Sequence, residues 1–104
     1  MIIVKVTYTV KLEFVKENQN NIDVFMADFK RLKQNNFRYN VYLQPDGITF
    51  IHFSHYENEN IQQQLLKVPS FILFQQKRDA SGLAVIPEIN VLKTVACSHQ
   101  IIDF

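Results

Sequence analysis

The chain has 104 residues, 47% of them hydrophobic and 20% charged, which sets a single compact domain over residues 1–104 as the expectation and excludes a disordered or low-complexity chain. Eleven Lys and Arg against ten Asp and Glu leave a net charge of +1, so no strong field draws the protein to phosphate backbones or anionic lipid, and nucleic acid is disfavoured as a partner. The one cysteine, Cys97, cannot close an internal disulfide, and the opening run MIIVKVTYTVK lacks the regions of a signal peptide; with no apolar run long enough to span a bilayer, the expectation is a soluble, cytoplasmic protein with no membrane association.

From Ile2 to Leu12 the even positions Ile2, Val4, Val6, Tyr8, Val10 and Leu12 are apolar, while Lys5, Thr7, Thr9 and Lys11 alternate with them. Period two predicts a strand with one apolar face. Between Glu13 and Asn35 the period changes: Val15, Ile22, Phe25, Met26, Phe29 and Leu32 are spaced for an amphipathic helix. Phe37, Tyr39, Val41 and Leu43 restore a strand, and Gln44-Pro45-Asp46-Gly47-Ile48 predicts a hairpin with a three-residue connection.

The next strand runs from Ile48 to about His55. Placing Gln44 opposite Ile48 pairs Tyr42 with Phe50 and Asn40 with His52 on one face, and Val41 with Ile51 and Tyr39 with Phe53 on the other. The second set is the more apolar, so it is expected to carry the helices, leaving Asn40, Tyr42, Phe50 and His52 on the far face with Lys5 and Thr7. A slip of one residue would bury His52 and Ser54 instead.

Glu57 to Asn60 opens a second helical region with Ile61, Leu65 and Leu66 on its apolar stripe, and Pro69 is expected to start a fresh segment bearing Phe71 and Phe74. Gly82 and Pro87 bracket a loop, a last strand is read from Glu88 to Ser98, and the apolar tail His99–Phe104 is expected to dock. The order strand, helix, strand, strand, helix, strand predicts an α+β, ferredoxin-like βαββαβ fold: a four-stranded antiparallel sheet with two helices on one face. Covering the other, partly apolar face with a second copy predicts a homodimer through the open sheet face.

Asp46-Gly47-Ile48-Thr49-Phe50-Ile51-His52 with Tyr56, followed by LKVPSFILF from Leu66 to Phe74, resembles the dimeric α/β-barrel superfamily of antibiotic-biosynthesis-monooxygenase-like and stress-responsive barrel proteins. The resemblance implies two βαββαβ subunits packed sheet to sheet around small-molecule cavities. Cofactor-independent monooxygenases are among the members. The chain contains no tryptophan, which haem-degrading relatives place in the pocket, and this sets haem degradation aside.

His52 is the candidate catalytic residue, because an imidazole beside Asn40 and Tyr42 on a partly dry face can exchange protons near neutral pH. Asn40, Tyr42, Phe50 and His52 together are the candidate ligand-binding set; the competing reading makes His52 a hydrogen-bonded interface residue. No cofactor is expected, and no metal either, since His52 and His55 lie three apart on a strand and point to opposite faces. Phe25, Phe29, Phe71 and Phe74 read as plain core.

Two function classes remain. One is a homodimeric barrel protein that binds or transforms a small apolar or aromatic molecule; the other is a non-catalytic dimeric interaction module. An RNA-recognition-motif reading is a distant third. Gly47, Phe50, Ile51 and Phe53 match the spacing of its longer signature, but Asp46 stands where a base is expected and Ile48 replaces a stacking aromatic.

Overall fold

A computed structural model describes residues 1–102. Strand β1 (Ile2–Thr9) leads through a 3-10 turn, Leu12–Phe14, into α1 (Val15–Arg31); β2 (Phe37–Leu43) and β3 (Thr49–Tyr56) form a hairpin; α2 (Glu59–Leu66), α3 (Pro69–Ala80) and β4 (Val85–Leu92) follow. The sheet order is β2-β3-β1-β4 with every pairing antiparallel, so the expected α+β ferredoxin-like fold is present. Among the described residues no helix is long and apolar enough to cross a membrane.

Local chemistry sets the element ends. Helix α1 is left through Lys33 at φ 52, the left-handed residue that commonly ends a helix. The Asn58 side chain accepts the Ile61 amide at 3.0 Å and caps α2. Pro69 opens α3 at its first position, where its missing amide hydrogen costs nothing, as the sequence predicts.

The aromatic side chains form the core between the helices and one sheet face. Phe25 sits at its centre, with ring centroids 5.0 Å from Phe71, 4.9 Å from Phe74 and 5.1 Å from Phe29. These four are buried, as expected of plain core.

The hairpin register differs from the expected one by a single residue. Leu43 lies opposite Phe50, Val41 opposite His52 and Tyr39 opposite Ser54. The cause is the connection, which is one residue longer than the sequence reading allows. Gln44 pairs with Thr49, its amide bonding to the Thr49 carbonyl at 2.8 Å. Asp46 holds the extra residue in place: its Oδ1 accepts the amides of Ile48 and Thr49, both at 3.0 Å, and its Oδ2 accepts the Thr49 hydroxyl at 2.6 Å. Gly47 adopts φ 78 in the same turn.

Because side chains alternate along a strand, this slip moves the β3 side chains to the opposite face relative to those of β2. Phe50 and His52 face the helices, with Val4, Val6 and Tyr8 of β1 opposite them or their neighbours. Asn40 and Tyr42 remain on the far face, with Lys5, Thr7, Ile51 and Phe53. The expected four-residue set is therefore split between two faces.

The last strand also differs. It starts at Val85, includes Pro87 and ends at Leu92, whereas the sequence reading begins it after Pro87. Proline is tolerated because β4 is an edge strand and its pairing with β1 shifts at this point: Thr7 faces Glu88 but Thr9 faces Val85. Residues 93–102 form no strand. Ile102 is nonetheless buried, so the tail returns to the body of the protein as expected; Asp103 and Phe104 lie outside the described residues.

Candidate functional site

His52 enters the core because its ring finds a polar partner on each side. Its Nε2 lies 2.8 Å from the Tyr8 hydroxyl and its Nδ1 2.7 Å from the Tyr39 hydroxyl. Asn18 of α1 extends the chain by donating Nδ2–H to the Tyr8 hydroxyl at 2.9 Å. Four side chains from α1, β1, β3 and β2 thus form one line of hydrogen bonds through the core. A buried imidazole with both nitrogens engaged avoids the cost of unpaired polar atoms.

Arg78 of α3 completes the surroundings. It is buried, its guanidinium carbon lies 5.2 Å from the Tyr8 ring centre and 5.5 Å from that of Phe74, and its Nε bonds to Asp79 at 3.0 Å. Burial first, and the Arg78 charge second, push the His52 pKa down from 6.5 to about 3. At neutral pH His52 is therefore uncharged, with one N–H and one bare nitrogen. Burial also raises the pKa of Tyr8, Tyr39 and Tyr56, so these phenols stay protonated.

One end of this line opens into a cavity of about 280 Å³ between the sheet and the helices α2 and α3. Val4, Val6, Leu66, Phe71 and Ile89 supply an apolar lining, and Tyr39, His52, Ser54, Tyr56, Gln62 and Gln75 supply polar groups. A mainly apolar hollow with a few converging polar groups is the usual form of a small-molecule site, and this volume lies just below the usual range of about 300–1,000 Å³. Ser54 is engaged with the Val4 carbonyl at 3.3 Å.

Of the expected ligand-binding set, His52 alone lines this cavity. Phe50 is buried beside Tyr8, stacked at 5.6 Å between ring centres, and so is unavailable for base stacking in the manner of an RNA-recognition motif. Asn40 and Tyr42 lie across the sheet, Tyr42 being 56% exposed. His55 is buried against Phe53, and His99 is exposed, its Nδ1 within 3.0 Å of the Ser98 hydroxyl. Among the described residues no three His, Cys, Asp or Glu side chains converge in a metal-holding group.

Tyr8, Asn18, Tyr39 and Arg78 were not singled out by sequence reasoning, although two of them leave a trace. Asn18 occupies the apolar stripe of α1 one turn before Ile22, and Arg78 follows Phe71 and Phe74 on the stripe of α3. A polar residue on an otherwise apolar helical stripe needs a buried partner.

No family model matches the chain, and no curated protein matches it. Solved structures do. A protein of Bacteroides thetaiotaomicron classed with the antibiotic biosynthesis monooxygenases superposes at TM-score 0.82, with 9% identity over 96% of this chain and 94% of its own. SnoaB, a cofactor-independent oxygenase of Streptomyces nogalater, superposes at TM-score 0.72, with 15% identity over 95% of this chain and 97% of its own. A conserved protein of Methanosarcina mazei reaches 21% identity at TM-score 0.74, over 88% of this chain and 90% of its own. Likeness at these identities establishes architecture: the chain has the α+β ferredoxin-like fold of the antibiotic-biosynthesis-monooxygenase-like proteins.

Proposed function

We propose that the chain is a cytoplasmic homodimer that binds a small, mainly apolar or aromatic molecule in the cavity over His52 and oxidises it without a cofactor. The cavity is the observation that carries this reading: an apolar hollow of about 280 Å³ whose polar wall is backed by the Asn18–Tyr8–His52–Tyr39 line. The likeness in fold to SnoaB, itself a cofactor-independent oxygenase, supports the choice of reaction class.

Oxygenation of this kind draws its electrons from the substrate. Conversion of a CH2 group to a ketone by dioxygen releases one water, and the four electrons leave the carbon being oxidised. The protein's contribution is to dehydrate the substrate and orient it. With its pKa held near 3, His52 is too weak a base to retain a proton at neutral pH. Its role is to hold the Tyr39 hydroxyl in place at the cavity wall by hydrogen bonding.

The homodimer forms through the far face of the sheet, where Asn40 and Tyr42 sit with Ile51 and Phe53. In this arrangement Asn40 and Tyr42 belong to the contact between the sheets. The exposed Cys97 thiol suits a reducing compartment.

The test is oxygen consumption. With a polycyclic phenol or ketone as substrate, the wild type should consume dioxygen, and Tyr39→Phe and His52→Ala should each slow uptake by at least about tenfold while thermal stabilisation by the ligand persists in Tyr39→Phe. Binding without oxygen uptake would favour the non-catalytic module. Absence of both would remove the cavity from consideration as a functional site.

A further inference from the structure

We infer that Asn18 fixes which nitrogen of His52 carries its proton, makes Tyr39 a hydrogen-bond donor at the cavity wall, and so selects ligands presenting an acceptor oxygen such as a carbonyl. This inference rests on the proposed role of the cavity and adds the chemical class of the group it receives.

The argument follows one proton at a time. The Asn18 Nδ2–H is donated to the Tyr8 hydroxyl at 2.9 Å. Tyr8 has one hydrogen of its own, and with its oxygen already accepting, that hydrogen goes to His52 Nε2 at 2.8 Å. A neutral imidazole has one N–H. Since Nε2 accepts, the N–H is on Nδ1, which donates to the Tyr39 hydroxyl at 2.7 Å. Tyr39 accepts there and keeps its own hydrogen, for which no other partner exists among the described residues. Tyr39 lines the cavity, so that hydrogen is the one offered to an occupant.

The orientation of Asn18 is the origin of this polarity. Asn18 is fully buried, and its Oδ1 has no partner. Turning the carboxamide over would leave two Nδ2 hydrogens unpaired in place of one hydrogen and one oxygen, and a buried N–H without a partner is the less tolerated of the two. Reversal would also invert the whole line: Tyr8 would donate to Asn18, His52 would donate from Nε2, and Tyr39 would donate to Nδ1 and present only lone pairs to the cavity. Asn18 touches no ligand and is a positioning residue, acting through two intermediates.

Nuclear magnetic resonance on protein carrying 15N-labelled histidine reads the tautomer directly at neutral pH. The wild type should show His52 protonated on Nδ1 and bare on Nε2, and Asn18→Leu, which removes the donor at the head of the line, should show both tautomers. Two bicyclic probes of similar size test the consequence: 1-indanone can only accept a hydrogen bond, and indole can only donate one. The wild type should bind 1-indanone about tenfold more tightly than indole, and Asn18→Leu should reduce that preference to within about threefold. A wild-type His52 protonated on Nε2 overturns the inference whatever binds, and so does equal affinity for the two probes. If neither probe binds while the spectrum shows Nδ1–H, the cavity reading has failed and the selectivity with it, although the tautomer is as derived. The spectrum of the unmodified protein requires no variant to fold.

Discussion

Lowering the pH should destabilise this protein mainly through one imidazole. His52 titrates near 6.5 in an unfolded chain and near 3 in the folded one, because burial and the Arg78 charge oppose its protonation. Between these values the unfolded state binds a proton that the folded state refuses, so stability falls as the pH drops, by about 1.4 kcal/mol per pH unit. By pH 4 the accumulated loss is about 3 kcal/mol, a large share of the 5–15 kcal/mol typical of a small domain. Urea unfolding at intervals from neutral pH to pH 4, in the wild type and in His52→Gln, isolates this contribution. Glutamine keeps hydrogen-bonding capacity but cannot titrate, while Asp46 and His55, whose pKa values are also lowered on folding, are common to both proteins. The variant, even if weaker at neutral pH, should lose about 3 kcal/mol less than the wild type over this range. Parallel stability curves would refute a neutral, sequestered His52.

Phe25→Ala should cost about 3–5 kcal/mol in urea unfolding, since the ring contacts Phe29, Tyr39, Phe71 and Phe74 at the centre of the core. Asn58→Ala removes the cap on α2 and should lower stability by about 1 kcal/mol in the same assay. At Gly47 an added Cβ would meet nothing within 4 Å, so Gly47→Ala should cost only the left-handed backbone penalty, about 1–2 kcal/mol; a neutral result would mean that the turn does not hold φ 78 in solution. Phe53→Asp places a charge on the far face of the sheet; on the proposed homodimer it should shift sedimentation velocity from dimer to monomer with circular dichroism retained, and a wild type that sediments as a monomer, or a variant that stays dimeric, would refute that interface.

Element order was legible because the apolar period changes cleanly from two to about 3.6 and back, and Pro69 marks the break between α2 and α3. Hairpin register was not, for two reasons that act together. Hydropathy prefers Ile51 and Phe53 over His52 and Ser54 for the buried face, yet the polar pair is buried because Tyr8 and Tyr39 satisfy the imidazole and the Val4 carbonyl accepts the Ser54 hydroxyl. Pro45-Asp46-Gly47 suggests a short connection, yet Asp46 holds Ile48 and Thr49 in a longer one. Burial of a polar side chain depends on partners distant in sequence, 44 residues away for Tyr8 and His52, and no local pattern reports them. His52 was thus assigned to the wrong side of the sheet, and its companions Asn40 and Tyr42 were drawn from that side.

Strand β4 lies at an edge and carries exposed Val85, Ile86, Ile89 and Val91, the composition that lets strands from different molecules add to one another without limit. Pro87 stands in the middle of this run, has no amide hydrogen to offer an incoming strand, and coincides with the irregular pairing against β1. The same residue that obscures the strand in the sequence therefore interrupts the template for fibril growth, and Pro87→Val would be expected to trade a more regular edge for a shorter lag before aggregation.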